Sequence, residues 1–588
     1  MHETAQLTPF LSVTAQLSET DLGSVAARGF KTVINNRPDG ESEDQPSSAA
    51  LEAAALRVGL AYLHVPVVSG KISDEDVDLF RDAFDQVRGP VLAFCRSGNR
   101  STTLWALSEA HRLDPAAVLS TADRAGYKLD ALEPRLRARW DANAGVQTSL
   151  PGAVSSSARR VDVVVVGGGA AGIAVATSLL RRKPGIEIAL VEPNDTHYYQ
   201  PGWTLVGAGA FDRARTQRPM ARCMPAGVEW IRAAAAAFEP DHNRVVLEDG
   251  ERIEYRGLIV APGLKLDWDA IEGLRETLGK NAVTSNYRFD MAAYTWELVQ
   301  GLRGGRALFT QPPMPIKCAG APQKAMYLSC DHWQRSGALK QIEVEFNNAG
   351  GVLFGVEAFV PPLMRYVERY GAALAFQSNL VAVDGPAHKA WFDVTCEGTG
   401  VERIEKHFDM LHVVPPQTAP DFVRSSPLAD AAGWVEVNPE TLQHPRFGNV
   451  FSLGDACSAP NAKTAAAIRK QAPVVARNIV AVLDGAGARA LYDGYGGCPL
   501  TVERGKVVLA EFGYGGKLLP TLPLDPTVAR RSAWWMKTRL MPFLYWDVML
   551  KGREWFLAVP KMLEHEPVPH EAGASEAEVR APGGARSA

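Results

Sequence analysis

The stretch that decides the fold is Val161-Asp162-Val163-Val164-Val165-Val166-Gly167-Gly168-Gly169-Ala170-Ala171-Gly172. An apolar strand runs directly into a Gly-x-Gly-x-x-Gly loop, and the pattern predicts a helix over 173–182. A second predicted strand ends at Glu192. Glycines in such a loop let backbone amides approach a pyrophosphate at the helix N-terminus, and the acidic residue takes the ribose hydroxyls. The sequence therefore predicts a dinucleotide site formed by Gly167, Gly169, Gly172 and Glu192.

Two further elements indicate FAD rather than NAD as the dinucleotide. Leu258-Ile259-Val260-Ala261-Pro262-Gly263 is an apolar strand with a tight turn, and Asn449-Val450-Phe451-Ser452-Leu453-Gly454-Asp455 is a second such element. Both are typical of flavoproteins with two dinucleotide-binding domains, in which the aspartate can bind the ribitol chain. We assign Ala261, Gly263, Gly454, Asp455 and Lys463 to the cofactor site as well.

A second Gly-x-Gly-x-x-Gly motif is missing. Between Gly301 and Gly355, the pairs Gly304-Gly305 and Gly350-Gly351 lack the required spacing. This argues against a nicotinamide site, so we expect no electrons from NADH.

The bulk composition describes an ordinary globular protein. The 588 residues are too many for one core, 46% of them are hydrophobic, and the net charge of −4 gives no indication of nucleic-acid binding. Seven cysteines without a Cys-x-x-Cys do not form a disulfide scaffold, and we expect no metal site. The N-terminus lacks the features of a signal peptide, which favours a cytoplasmic location with reduced thiols.

Changes in composition divide the chain into five segments. An α/β cysteine-phosphatase-like domain is predicted at 1–145, a linker rich in Gly, Ser and Ala at 146–159, and an FAD-binding α/β (Rossmann-like) domain at 160–525. Amphipathic membrane-interface helices follow at 526–565 and a disordered tail at 566–588.

Two stretches set a cysteine in a run suited to flavin chemistry. They are Pro315-Ile316-Lys317-Cys318-Ala319-Gly320-Ala321-Pro322-Gln323-Lys324 and Gly454-Asp455-Ala456-Cys457-Ser458-Ala459-Pro460-Asn461-Ala462-Lys463-Thr464. Lys317 and Lys463 either lower a thiolate pKa or lie on the surface. An aromatic cluster either walls the flavin or belongs to the core; its members are His197, Tyr198, Tyr199 and Trp203.

From Val161 to about Val559 the chain resembles sulfide:quinone oxidoreductases of the branch that includes the mitochondrial enzymes. The resemblance rests on the two cysteine stretches, on the stretch from His197 to Gly207, and on Tyr492-Asp493-Gly494-Tyr495-Gly496-Gly497-Cys498-Pro499-Leu500. It implies FAD as cofactor, sulfide and quinone as substrates, and a thiol, sulfite or cyanide as sulfur acceptor.

The resemblance also implies Cys318 and Cys457 as the redox pair, bridged as a disulfide or through an extra sulfur. The mitochondrial enzymes place the second cysteine of the pair directly after Gly-Asp, where this chain has Ala456 and Cys457 follows one residue later. Hydrosulfide would attack one sulfur, and the other would leave as a thiolate and pass two electrons to the flavin. The other cysteines of the flavin domain are expected to be structural, namely Cys223, Cys330, Cys396 and Cys498.

In the N-terminal domain, Cys95-Arg96-Ser97-Gly98-Asn99-Arg100-Ser101 follows an apolar strand and opens a helix. Backbone amides and Arg100 would stabilise a Cys95 thiolate and bind an oxyanion. The surrounding segments resemble the phosphatase-like domain fused to sulfur-oxidising hydrolases. Arginine follows cysteine by five residues, the spacing of rhodaneses, and no aspartate follows Pro66. These features favour sulfur transfer, with phosphate hydrolysis or an inert loop as alternatives.

The segment after Arg530 combines Trp, Tyr, Lys and Arg and contains no apolar run of about 20 residues, the length needed to span a bilayer. It predicts a pair of interfacial helices, over 530–546 and 548–562, that attach the protein peripherally to the inner membrane. The alternative is docking on the protein's own domain or in a homodimer. We expect removal of this segment to leave sulfide-driven flavin reduction intact.

The main interpretation is therefore a flavoenzyme that oxidises sulfide and reduces quinone. Two alternatives remain open at this stage: a type-II NADH:quinone oxidoreductase, and a sulfide or redox sensor whose phosphatase-like domain is regulated by the flavin domain.

Overall fold

The computed structural model describes residues 4–8, 11–86, 90–110, 115–146, 159–396, 398, 400–555 and 559–563. Most of the predicted linker and the whole predicted disordered tail lie outside these residues. The chain divides into two compact units, Met1–Ser155 and Ser156–Ala588.

The first unit is a five-stranded sheet with helices, in which four strands are parallel and the first is antiparallel. Val91–Phe94 is fully buried at the centre, so its carboxyl end delivers the next residue, Cys95, to the sheet edge. The strands, in spatial order, are Ala5–Gln6, Leu11–Thr14, Val91–Phe94, Thr32–Asn35 and Ala61–His64. The helices are Asp21–Ala27, Ser48–Arg57, Asp74–Gln86, Asn99–Glu109, Pro115–Arg124 and Glu133–Val146.

The second unit begins with a seven-stranded sheet around the predicted dinucleotide strand. Arg159–Val166 lies between Ile188–Val191 and Arg252–Val260 in parallel register, and Val450–Ser452 extends the parallel set. The remaining strands are Val228–Ile231, Ala235–Glu239 and Arg244–Leu247. Helices Ala170–Arg182 and Ala465–Leu483 pack together beside this sheet.

A second parallel sheet completes the two-domain pattern of the flavin fold. Its central strand, Gly305–Gln311, is joined through a loop to helix Ala321–Ser336. The strands, in spatial order, are Val283–Thr284, Met410–His412, Gly305–Gln311, Ile342–Asn348 and Ala373–Phe376. The flanking helices include Phe289–Gly301 and Val360–Tyr370.

Smaller elements join and cover these two sheets. Three antiparallel strands, Ser378–Asp384, Lys389–Cys396 and Gly400–His407, form a separate ribbon. The hairpin of Gly496–Glu503 and Lys506–Phe512 packs on helix Ala321–Ser336. The short strands are Thr196–Tyr198, Gln217–Pro219, Lys265–Leu266, Gln417–Thr418, Ala490–Leu491 and Lys561–Met562. The short helices are Trp203–Val206, Met220–Cys223, Leu274–Thr277, Asp421–Arg424, Arg531–Trp535 and Met541–Phe543.

The C-terminal segment forms one continuous helical run rather than a pair of helices. Helix Arg531–Trp535 continues through π-helical turns at Met536–Leu540 and Leu544–Val548. The run ends at Gly552, and Lys561–Met562 pairs with Ala490–Leu491 as a strand, so the predicted second helix is wrong over those residues. Of the helices described, none is long and apolar enough to cross a bilayer.

Candidate active site

The first glycine loop is shaped by close backbone packing. Gly167 has a φ of +103°, and a Cβ there would overlap the Ala261 carbonyl of the neighbouring strand. A Cβ at Gly172 would overlap the Gly167 carbonyl oxygen. Gly169, at the start of helix Ala170–Arg182, would instead project a Cβ into open space, with no atom within 4 Å. The loop thus presents a helix N-terminus with room for a phosphate group.

Glu192 is held at the end of the second strand. Its carboxylate accepts hydrogen bonds from the Gly168 amide at 2.8 Å and from the Asn194 amide at 2.8 Å. A Cβ at Gly168 would lie 2.7 Å from the Glu192 Cγ, so the absence of a side chain permits this approach. The buried carboxylate is therefore fixed beside the glycine loop, where a cofactor ribose would bind.

The Gly454-Asp455 turn meets the same loop from the other side. A Cβ at Gly454 would lie 3.0 Å from the Ala171 Cβ, and its φ is +74°. Burial raises the pKa of the Asp455 carboxyl, against the opposing charges of Lys463 and Lys317. The open loop, the oriented Glu192 and this carboxylate fit a bound flavin nucleotide. The turn after Arg252–Val260, with Ala261 and Gly263, borders the same region through Gly167.

Lys463 does not aim its ammonium at this site. Its Nζ donates to the carbonyls of Asp455 at 2.7 Å and Cys457 at 3.0 Å, and lies 4.0 Å from the Trp434 ring centroid. Two backbone carbonyls thus occupy the ammonium, and the cofactor contact expected of Lys463 stays a prediction. Its own carbonyl accepts the Cys318 amide at 2.9 Å.

Cys318 lies in the loop between strand Gly305–Gln311 and helix Ala321–Ser336. Its φ is +51°, a left-handed conformation that costs a non-glycine residue free energy and clusters at functional sites. Bonds from the Cys318 amide to Lys463 and from the Ala321 amide to the Cys318 carbonyl at 2.7 Å hold this conformation. The loop therefore presents one thiol in a fixed direction.

The sulfur atom beside Cys318 belongs to Cys498, at an Sγ–Sγ distance of 3.4 Å. Cys498 is on the buried strand Gly496–Glu503, 180 residues further along the chain. A Cβ at Gly320 would lie 2.6 Å from the Cys498 Sγ, so a glycine is needed for this approach. Both cysteines are free thiols in the structure.

A buried lysine makes the two sulfurs unequal. Lys324, 2% exposed, places its Nζ 3.1 Å from the Cys318 Sγ and 3.8 Å from the Cys498 Sγ. The hydrogen bond from Cys498 and the Lys324 charge hold the pKa of Cys318 well below its usual range, whereas the same bond and burial raise the pKa of Cys498. Burial opposes the charge of Lys324, but the sulfur charges raise its pKa to about 12. The nearer position of Lys324 therefore favours the thiolate form at Cys318 over that at Cys498.

Cys457, the partner expected for Cys318, has a different environment. Its thiol donates to the Gly454 carbonyl at 3.3 Å, and the residue packs in the core of the first sheet. Burial raises its pKa. The one-residue offset after Gly454-Asp455 places Cys457 in a bridge with Val435, which turns its side chain into this core. The structure thus brings Cys318 next to Cys498, which was expected to be structural, whereas Cys457 packs in the core of the first sheet.

The aromatic cluster divides between the core and an open cavity. His197 Nε2 and the Tyr545 hydroxyl lie 2.7 Å apart, and the rings of Tyr199 and Tyr545 contact each other in a tilted arrangement at a centroid distance of 4.8 Å. Burial lowers the pKa of His197 to about 4, so it is neutral. Tyr198 and Trp203 instead line a cavity of about 580 Å³, which also includes Tyr287, Phe289 and Lys317. Lys317 Nζ donates to Gln200 at 2.7 Å, and burial lowers its pKa to about 8.

The N-terminal domain contains a second candidate site at Cys95. The helix after it starts at Asn99, and Gly98 has a φ of +86°. Among the described residues, no backbone carbonyl accepts from the amides of residues 96–100, so these amides form an open cradle. Arg100 is buried, and its hydrogen bonds to Glu41, followed by the nearby Cys95 sulfur, raise the pKa of its guanidinium. The loop is built for a thiolate or an anion.

Glu41 fixes the direction of Arg100. The two Arg100 terminal nitrogens donate to Glu41 at 2.6 and 2.8 Å, and Arg37 donates to it at 2.8 Å. The hydrogen bond from Arg100 lowers the pKa of Glu41 to about 2. Sequence reasoning missed this carboxylate and also Tyr127, whose ring lies against Gly98 and whose pKa is raised by burial and the Cys95 charge. Only the three-dimensional fold brings these residues to the loop.

No cluster of three or more metal-ligating side chains occurs in the part of the chain that the structure describes.

Comparisons with known proteins match both units. The model of the phosphatase-like domain of beta-lactamase hydrolase-like proteins matches residues 3–112, and that of pyridine nucleotide-disulphide oxidoreductases matches 161–293. A beta-lactamase hydrolase-like protein of Xylella fastidiosa is 42% identical over 99 residues, which are 17% of this chain and 23% of that protein.

The larger unit has relatives over most of their length. The mitochondrial sulfide:quinone oxidoreductase of Mus musculus is 40% identical over 401 residues, covering 68% of this chain and 89% of the mouse protein. The solved sulfide:quinone oxidoreductase of Aquifex aeolicus, at 20% identity, shares the fold with a TM-score of 0.58 over 71% of this chain and all of that one.

Proposed function

Because the chain belongs to the sulfide:quinone oxidoreductase family, a flavoenzyme family that oxidises sulfide with quinone, we propose that Cys318 and Cys498 carry the sulfide half-reaction. The observation behind this proposal is the 3.4 Å contact of two free sulfurs beside the buried ammonium of Lys324. A two-electron oxidation of sulfide needs a pair of cysteines that can form a disulfide and open it again.

The unequal sulfurs assign a direction to the reaction. In the oxidised pair, hydrosulfide attacks the Cys498 sulfur, the bond between the cysteines breaks, and Cys318 leaves as a thiolate. Lys324, 3.1 Å away, stabilises that leaving thiolate. Cys498 then carries a persulfide, –S–SH, whose terminal sulfur passes to a thiol, sulfite or cyanide. The remaining thiolate and thiol re-form their bond with loss of two electrons and one proton.

The dinucleotide loop and Glu192 favour FAD as the flavin, since they would bind the pyrophosphate and the adenosine ribose that FAD contains. When bound, FAD takes the two electrons from sulfur and passes them to quinone. Asp455 and Gly454 would hold the ribitol side of the molecule. Helix Ala465–Leu483 starts two residues after Lys463, whose carbonyl accepts the Cys318 amide, so Cys318 lies next to a helix N-terminus that can face the flavin.

Anaerobic titration with sulfide, followed through the flavin absorbance, tests the pair. We expect Cys318→Ser and Cys498→Ser to retain the flavin and to lose its reduction by sulfide by more than about 1,000-fold, since either change removes one atom of the bond that must form.

The matched control is Cys457→Ser, which changes the same atoms in the core of the first sheet. Normal flavin reduction in Cys498→Ser, together with loss in Cys457→Ser, would restore the pairing expected from the sequence.

We also propose that the C-terminal helical run attaches the protein to the cytoplasmic face of the inner membrane. Exposed apolar side chains gather on this run and the loop before it, namely Leu518, Leu522, Leu524, Val528, Trp535 and Phe543. Tryptophan and phenylalanine beside Arg and Lys suit the headgroup region of a bilayer. Flotation with anionic vesicles should recover the native protein and lose W535S/F543S; equal recovery of both would contradict this attachment.

For the N-terminal domain we propose transfer of sulfane sulfur at Cys95. Glu41 is held ionised between Arg100 and Arg37, so this carboxyl has no proton to give to a leaving group, as phosphate-ester hydrolysis requires. The amides of residues 96–100 can instead stabilise a persulfide anion.

Mass spectrometry of the holoenzyme after sulfide and quinone tests the transfer. The Cys95 peptide should gain about 32 Da, one sulfur atom, and Cys95→Ser should slow sulfur release without slowing flavin reduction. Cysteine phosphatase activity is the alternative: hydrolysis of an aryl phosphate that is lost in Cys95→Ser, without an adduct on Cys95, would establish it.

A further inference from the structure

The C-terminal helical run has two opposite faces. Trp535 is 59% exposed and Phe543 44% exposed, whereas Lys537, two residues after Trp535, is only 2% exposed. Lys537 lies inside the π-helical turn Met536–Leu540. A π-helical turn widens the helix, alters the directions of its side chains and is frequent at functional sites. A lysine on an otherwise amphipathic surface helix is thus buried in the protein.

The buried ammonium has only one hydrogen-bond partner among the described residues. Lys537 Nζ donates to the Pro201 carbonyl at 3.0 Å. Burial and the Lys324 charge lower its pKa to about 7, and the sulfur charges of Cys318 and Cys498 oppose that change. The ammonium of Lys537 in turn lowers the pKa of Cys318, after the effects of Cys498 and Lys324.

The start of the run packs on both elements that carry the pair. Arg530 exchanges backbone hydrogen bonds with Val507 on the hairpin of Cys498, and Trp534 packs against a cluster that includes Leu328 on the helix of Lys324.

The surrounding charges leave the two sulfurs and their neighbouring lysines with an excess of cations. The titratable groups that interact with Cys318 are the thiol of Cys498, the ammonium groups of Lys324, Lys537 and Lys317, the phenol of Tyr287 and the carboxylate of Asp455. Lys463 acts on Asp455 and donates to backbone carbonyls. Burying the two ammonium groups of Lys324 and Lys537 is costly unless anions accompany them. Negative sulfur at the pair supplies that charge.

We propose that Lys537 is a positioning residue for the sulfide half-reaction: through this lysine, the membrane-facing helix places a second ammonium beside the Cys318–Cys498 pair. The proposal rests on the proposed redox role of that pair. It also revises the expectation that residues after Arg530 act only on the membrane and quinone, because Lys537 would then be part of the sulfide site.

The test measures thiolate formation directly. The reduced holoenzyme is treated with iodoacetamide between pH 5 and 9, and alkylation of the Cys318 peptide is followed by mass spectrometry. Lys537→Met keeps an unbranched apolar chain and removes the charge. We expect the alkylation midpoint to rise by about one pH unit, with flavin reduction by sulfide at pH 6.5 falling about tenfold. Lys340→Met, the same change at an exposed lysine, should alter neither.

Slower flavin reduction by sulfide in Lys537→Met, with an unchanged pH midpoint of Cys318 alkylation, would overturn the proposal because it would indicate a purely structural role. An unchanged rate and midpoint would overturn it equally. The pair itself is tested separately: if Cys318→Ser still reduces the flavin, the proposed redox pair fails, whatever the lysine variants show. Lys537→Arg, which keeps the charge, should retain the native midpoint, so a midpoint shifted as in Lys537→Met would also contradict the role of charge.

Discussion

Two loops occupy the same place in the two parallel sheets of the larger unit and perform different chemistry. In the first, strand Arg159–Val166 leads through the glycine loop into helix Ala170–Arg182. In the second, strand Gly305–Gln311 leads through residues 312–320 into helix Ala321–Ser336. The carboxyl edge of a parallel sheet is where such folds bind a nucleotide. The first loop has open space at Gly169 that suits this use, and the second presents Cys318 instead.

This difference between the loops underlies the prediction that NADH is not the electron source. A nicotinamide site would need an open glycine loop at the second position. At that position the structure has Cys318 in a left-handed backbone conformation, and its amide donates a hydrogen bond to the Lys463 carbonyl. Each loop contains a glycine at which a side chain would clash. A Cβ at Gly172 would overlap a backbone carbonyl in the first loop, and a Cβ at Gly320 would overlap the Cys498 sulfur in the second. These two glycines allow the roles of the loops to be tested separately.

The largest effect is expected from Gly172→Val. The side chain would overlap the Gly167 carbonyl, which is backbone and cannot move away cheaply. The first loop should then lose its shape, and the protein should be purified without flavin absorbance at 450 nm and without activity. Gly301→Ala, whose Cβ meets no atom within 4 Å, is the control. Full flavin content in Gly172→Val would show that this loop is not the cofactor loop.

Gly320→Ala should have the next largest effect and should spare the flavin. The methyl group would lie 2.6 Å from the Cys498 Sγ and would overlap Leu500, so the two sulfurs must separate. A misplacement of about 1 Å costs on the order of 100-fold in rate, and we expect sulfide-driven flavin reduction to fall by about 10- to 100-fold. Stopped-flow absorbance with a flavin-content assay measures both. A normal rate would mean that the hairpin cysteine is not held by this contact.

Cys457→Ala should have a small effect on activity. The thiol makes one bond to the Gly454 carbonyl and otherwise fills core volume. We expect less than a twofold change in sulfide oxidation and a loss of about 1 kcal/mol in unfolding free energy, measured by denaturant titration. An activity loss matching that of Cys498→Ser would instead place Cys457 in the reaction.

NADH should have no effect on the flavin. The second loop contains no open glycine cradle, and Cys318 occupies the position of a nicotinamide dinucleotide. Mixing the oxidised enzyme with a large excess of NADH should leave the flavin absorbance unchanged for minutes, while sulfide bleaches it. Rapid bleaching by NADH would remove the distinction drawn here between the two loops.

The sequence predicted the first loop well and the second only in part. The strand, the glycines and Glu192 are local features within about thirty residues, so pattern and spacing suffice. The partner of Cys318 is a non-local contact across 180 residues, and spacing carries no information about it. Cys498 does lie in one of the stretches that carry the family resemblance, which is the signal that could have identified it.

The C-terminal segment shows the same limit. Composition identified its amphipathic character, but the direction of Lys537 depends on a π-helical turn that has no sequence pattern. Likewise, Arg100 was predicted from the loop spacing, whereas Glu41, 59 residues away, was not. Local backbone features can be predicted from the sequence. The residues that shift the pKa of a site residue lie in distant segments, and only the fold brings them to the site.

The sulfur separation at the reaction site has a consequence for what the pair can store. A direct bond would bring the two sulfurs from 3.4 Å to about 2.05 Å, which requires the loop and the hairpin to close together. A single sulfur atom bonded to both would span roughly 3.3 Å between them, given two bonds of about 2.05 Å. The scaffold therefore already has the width of a three-sulfur bridge. It could retain one sulfur atom between turnovers with almost no movement of its backbone.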